Sequence, residues 1–168
     1  MAVVTTVAAG LRAAPRATIL QLRNPRASAR ELEREALALV ASSPVPVVVS
    51  SRCDIALAAR ASGVNLPEHD IGIRFARDLL GDGLVGRSVH SLEAARQAQD
   101  DGADYIVFGP VWPTASHPDM PAHGVGALAQ IAGAVRIPVL AIGGVTEARI
   151  AECRQAGAAG YASIRLFA

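Results

Sequence analysis

Short apolar runs rich in Val and Ile recur along the chain: Val3-Val4, Thr18 to Leu22, Val45 to Val49, Val64 to Leu66, Leu84 to Val89, Tyr105 to Phe108, Pro138 to Ile142 and Tyr161 to Ile164. Their interiors do not alternate with polar residues, the pattern of strands buried on both faces of a parallel sheet. Between them lie Ala/Arg/Glu-rich stretches with helical spacing. Ser28 to Ala41 carries Leu32, Ala36, Leu39 and Val40 on one face, behind a Ser28-x-x-Glu31 capping box. Ser91 reads as the N-cap of a helix over 91–98, and Val125 to Val135 and Thr146 to Ala156 read as two more, the second capped by Thr146. Strand followed by helix, eight times at a period of roughly 20 residues, predicts an α/β fold, a (βα)8 TIM-type barrel, as one domain over residues 1–168. A doubly wound open sheet is the structural alternative. Barrels of this kind run to about 250 residues, so this one is compact. Its first helix is confined to Val7–Ala14, and no residues remain for an eighth helix.

Composition narrows the classes. Apolar residues make up 51% of the chain and charged residues 18%, which excludes a disordered chain. The formal charge is +1 with no basic run, against a nucleic-acid surface. No apolar run approaches the ~20 residues of a membrane helix, and no signal peptide is legible, so a cytoplasmic protein is expected. All 16 basic residues are Arg. Without Lys there is no Schiff-base chemistry and no P-loop, and an anion must be held by Arg, backbone N–H groups or hydroxyls. Cys53 and Cys153 stand apart with no CxxC spacing, so neither a disulfide framework nor a zinc site is expected.

In a barrel the chemistry sits in the loops after the strands. Ile142-Gly143-Gly144 ends the seventh strand, where glycine lets a phosphate approach the backbone; a simple tight turn is the bland alternative. Four prolines between residues 110 and 121 stiffen the sixth loop, which presents Thr114, Ser116 and His117, or is merely an ordered loop. Gln21 and Arg23 share one side of the second strand, facing either an anion or an internal partner such as Asp54 or Asp70. Ser88 and His90 alternate across Val89; His90 is either a site residue or only the residue before a helix cap.

These segments together resemble the thiamine phosphate synthase/TenI family. The resemblance rests on Leu20 to Arg23, Arg52 to Ala58, Val64 to Pro67, Val85 to Ala94, Gly102 to Thr114 and Ile137 to Gly144, in family order over residues 17–165. It implies the barrel fold and one of two activities: joining a hydroxymethylpyrimidine pyrophosphate to a thiazole phosphate with magnesium, or the metal-free aromatisation of a carboxythiazole phosphate by the TenI branch. Gln21 and Arg23 match the synthase pattern, but its Lys falls at Pro25 and its Asn-Asp-Arg is Ser50-Ser51-Arg52. A second metal-binding Asp matches Asp70, and a loop Lys falls at His117. Arg26 and Arg87 are the residues that could replace missing cations. The Gly86-Arg87-Ser88-Val89-His90-Ser91 run matches the TenI branch, whose catalytic His falls at Pro110.

The resulting expectation is a thiazole tautomerase, an isomerase needing no cofactor. His117 and His90 would move the proton. Gln21, Arg23, Arg52, Ser88, Thr114 and Ser116 would contact the thiazole phosphate. Gly143, Gly144, Ser163 and Ile164 would hold its phosphate through backbone N–H groups, with Arg165 adding charge or blocking the place. A thiamine phosphate synthase, with magnesium on Asp70, is the first alternative. A non-catalytic barrel binding a phosphate ligand or a partner enzyme is the second, and a homo-oligomer is compatible with any of the three.

Overall fold

The structure is a computed structural model and describes every residue of the chain except 117 and 119. Eight parallel strands pair strictly in chain order: β1 (Ala2–Val4), β2 (Leu20–Leu22), β3 (Val47–Ser50), β4 (Gly63–Leu66), β5 (Leu84–Val89), β6 (Tyr105–Phe108), β7 (Val139–Ala141) and β8 (Gly160–Tyr161). Seven helices follow the first seven strands: α1 (Val7–Ala13), α2 (Ala29–Ser42), α3 (Cys53–Ala58), α4 (Ile73–Leu80), α5 (Leu92–Asp100), α6 (Gly124–Ala134) and α7 (Ile150–Gln155). The last strand returns to the first. Ala2 bridges Ser163; the Val3 N–H donates to the Ser163 carbonyl at 3.0 Å and the Ser163 N–H to the Met1 carbonyl at 3.2 Å. The sheet closes into a barrel, and the open-sheet alternative falls away.

The helix boundaries follow local chemistry. Ser28 and Glu31 form the expected capping box, with the Ser28 N–H donating to Glu31 Oε2 at 2.8 Å, and Ser91 accepts the Ala94 N–H at 3.0 Å. Thr146 does not cap the last helix with its side chain. A 3-10 turn over Glu147–Arg149 intervenes before α7, and Thr146 stands instead at the rim of the mouth. The eighth strand is also shorter than its apolar run. The Ser163 hydroxyl accepts the Leu166 N–H at 3.2 Å and starts a 3-10 turn over Arg165–Phe167, which lifts the chain out of the sheet. Among the described residues no helix is long and apolar enough to cross a membrane.

Alternation along each strand sorts the side chains. Leu20, Leu22, Val47, Val49, Val64 and Leu66 point outward into the helix-facing core. Val3, Val48, Tyr105, Val107 and Ala162 form a separate cluster inside the barrel. Tyr105 is its largest member, and Gly86 makes room for it: a Cβ at Gly86 would lie 2.2 Å from the Tyr105 ring. One layer further along the strands, the inward residues become polar: Gln21, Ser50, Asn65 and Ser88.

Gly86→Ala is expected to destabilise the barrel by about 1–3 kcal/mol, the cost of overpacking a filled core. Gly126→Ala in α6, where an added Cβ meets nothing within 4 Å, should be neutral or stabilising. Thermal melting of the two variants beside the parent checks the pair; equal melting temperatures would contradict a tightly filled lumen.

Candidate active site at the carboxyl ends of the strands

The polar layer opens into a cavity of about 500 Å³, within the range of small-molecule sites. Gln21, Arg23, Ser88 and His90 line one side, as their strand parity requires. Gln21 is almost fully buried, whereas Arg23 is exposed at the mouth and, among the described residues, has no acidic partner in Asp54 or Asp70. Thr114 and Ser116 line the cavity from the sixth loop, the Ser116 N–H donating to Thr114 Oγ1 at 3.4 Å. Gly143, Gly144, Ser163 and Ile164 complete the opposite wall. His117 lies outside the described residues.

His90 is held twice. Its backbone N–H donates to Glu68 Oε2 at 2.6 Å, and its Nδ1 meets the Gly109 carbonyl at 2.5 Å. A carbonyl only accepts, so in the neutral ring Nδ1 carries the proton and Nε2 is left as an acceptor. Asn65 Nδ2 donates to Ser88 Oγ at 3.0 Å, leaving the Ser88 proton free to donate.

The glycine turn after β7 is shaped by the sixth loop. Gly143 and Gly144 have φ of 89° and 67°, and a Cβ at either would come within 2.6 Å of Pro110 or Trp112. The Ile142 carbonyl accepts the Val111 N–H at 2.9 Å and the Gly143 carbonyl accepts the Trp112 N–H at 3.1 Å. In a trans peptide the N–H points opposite to the C=O. The Gly143 and Gly144 N–H groups therefore point away from the sixth loop, and among the described residues neither has a protein acceptor. Ile164 likewise has an unpaired N–H. Ser163 differs from expectation: its N–H closes the barrel on Met1 and is not available to a phosphate, although its side chain remains on the wall.

Three Arg readings are corrected by the geometry. Arg52 does not line the cavity; Nε and Nη2 donate to Asp54 at 2.8 and 2.5 Å, which holds the Asp54 carboxyl below the usual range. Arg87 points outward, opposite to Ser88 and His90. It donates to the carbonyls of Pro67, Glu68 and Ile71 at 2.6, 3.3 and 2.6 Å and fixes the loop after β4. Arg26 is exposed and does not reach the cavity. In their place the structure brings in Arg149, which spacing did not assign to the site, beside Arg165, which was expected either to add charge at the phosphate or to block it. Arg149 lines the cavity from the 3-10 turn before α7, and Arg165 from the turn after β8.

Asp70 lines a neighbouring recess that shares Pro67, Glu68 and His90 with the cavity. It accepts the Ser51 hydroxyl through Oδ2 and the Ile71 N–H through Oδ1 at 2.7 Å. Among the described residues no three His, Cys, Asp or Glu side chains could together hold a metal ion. Magnesium commonly takes only one or two protein carboxylates and completes its shell with substrate phosphates and water. Asp70 fits that lesser part. The two cysteines are buried and unpaired, and burial pushes both thiols up from their ordinary range.

A family model described as thiamine monophosphate synthase, TMP-TENI, matches residues 2–167. The chain belongs to this family. A thiamine-phosphate synthase of Chloroflexus aurantiacus is 41% identical over 152 residues, covering 88% of this chain and 70% of that protein. One of Methanoculleus marisnigri is 40% identical over 161 residues, covering 93% and 76%. The solved thiamine phosphate pyrophosphorylase of Pyrococcus furiosus superposes with a TM-score of 0.88 at 33% identity, over 97% of this chain and 84% of that one.

These relatives overturn the isomerase reading: they carry synthase names, those of transferases, and nothing among them supports a tautomerase. The structure explains why the Gly86–Ser91 run misled. Gly86 admits the Tyr105 ring, Arg87 ties the loop after β4, Ser88 accepts from Asn65 and Ser91 caps α5. Residues that answer to the fold do not discriminate between two chemistries built on it.

The two Arg placements separate in mutants. Arg87→Met should cost about 1–3 kcal/mol of stability, because three half-buried carbonyls lose a charged donor. Arg23→Ala should leave the melting temperature unchanged and weaken anion binding. Denaturation beside phosphate calorimetry checks both; the reverse assignment of effects would overturn the placements.

Proposed function

We propose that this barrel is a thiamine-phosphate synthase, forming the bond between a hydroxymethylpyrimidine and a thiazole phosphate with release of pyrophosphate. The observation that carries the reading is the sharing of one cavity by an amide and a cation at the end of β2 and by the free N–H groups after β7 and β8. Such a chamber suits two substrates side by side, one gripped at each wall. The synthase names of relatives covering most of the chain support it.

In this reading the Gly143, Gly144 and Ile164 N–H groups hold the thiazole phosphate. Gln21, with one amide donor pair and one acceptor, orients the pyrimidine. The thiazole nitrogen forms a C–N bond to the pyrimidine methylene carbon as the C–O bond to pyrophosphate breaks, the electron pair leaving with pyrophosphate. Arg23 meets the negative charge that collects on the leaving group. Magnesium on Asp70 would neutralise part of the same charge when bound.

Purified protein given both substrates and magnesium should release one pyrophosphate per thiamine phosphate formed, and none when either substrate is withheld. Asp70→Asn should raise the magnesium needed for half-maximal rate at least on the order of 10-fold, the cost typical even of an outer-shell partner. A release rate equal to buffer, with thiazole phosphate still bound, would overturn the synthase reading and favour a non-catalytic phosphate-binding barrel.

A further inference from the structure

We infer that Arg149 is a phosphate ligand of the cavity and the positioning residue for its glycine turn, with Arg165 as a second guanidinium on the same anion. The inference deepens the synthase reading and rests on its assignment of a phosphate to the turn after β7. Arg149 Nη1 donates to the Gly144 carbonyl at 2.7 Å, and its guanidinium carbon lies 4.9 Å from the centre of the Trp112 ring. Stacking and hydrogen bond fix the plane of the fork from two sides. Among the described residues the remaining N–H groups of Arg149 meet no acceptor, and the side chain lines the cavity.

The Gly144 carbonyl that Arg149 engages belongs to the turn whose Gly143 and Gly144 N–H groups face away from the sixth loop. Arg149 thus holds the turn in the orientation that frees these amides and adds a full positive charge beside them. Arg165 lines the same cavity and, among the described residues, has no acidic partner. Among the described residues the only carboxylate lining the cavity is Glu68, which accepts the His90 N–H. Two guanidiniums and free amides, with no competing acid on their wall among the described residues, suit a doubly charged phosphate monoester.

Trp112 is the only tryptophan in the chain, so its emission reports on this contact. Thiazole phosphate should change the emission saturably, and the unphosphorylated thiazole alcohol should not. By calorimetry, Arg149→Met should weaken thiazole phosphate about 10- to 100-fold, the span of a lost charged hydrogen bond. Arg149→Lys should recover part of that loss, because it restores charge without the planar fork. Arg154→Ala, exposed on α7, should bind as the parent does. An unchanged Kd in Arg149→Met overturns the inference; should that variant not fold, an unchanged Kd in Arg149→Lys does so. Pyrophosphate release by the parent separates the two readings. Turnover with an unchanged Arg149→Met Kd sinks the inference alone, and Arg149-dependent binding without turnover sinks the synthase reading alone. If the parent does not bind thiazole phosphate, both fall.

Discussion

Everything at the mouth of this barrel rests on how its floor is filled. Eight strands enclose a lumen just wide enough for side chains, and this chain fills it with small aliphatic residues and one large ring, Tyr105. The ring fits only because its neighbour on β5 is Gly86. A packed floor fixes the register of every strand against the next, and register decides which side chain at the strand end looks inward. Gln21, Asn65 and Ser88 are polar where they stand because the layer below them is already closed to water.

A second dependence runs across the top. The sixth loop and the glycine turn after β7 are one unit, joined by two backbone hydrogen bonds and by contacts that leave no room for a Cβ at Gly143 or Gly144. The glycines were expected to let a ligand approach. Their first service is to let another loop approach, and the amides become available as a consequence. The same positive φ serves both packing and chemistry.

Much of this was legible in the chain. Unalternating apolar runs at a regular period define the strands, and the Ser28–Glu31 and Ser91 caps place two helices because capping is local. Parity on β5 put Ser88 and His90 inward. The same parity puts Arg87 outward, so that signal was present and unused. Arg52 was misplaced because nothing in its strand-end position announces the pairing with Asp54 two residues on. Arg149 was not assigned because its value depends on Trp112, 37 positions earlier, reaching across a loop. Choosing between the family's chemistries failed for a different reason. The run that favoured an isomerase is occupied with holding the barrel together, and the similar proteins carry synthase names.

The seam between the last strand and the first carries a thermodynamic consequence. β8 is two residues long, and Ser163 spends its N–H on Met1 while its hydroxyl turns the chain toward Arg165. The shortest stave of the barrel is therefore also the one that carries Ile164 and Arg165 to the cavity wall. A phosphate bound there and at the glycine turn, as proposed, would span β7 and β8 and brace the closure from above. Occupancy and closure are then linked equilibria: whatever binds the closed barrel alone holds the seam shut, in proportion to the logarithm of its concentration.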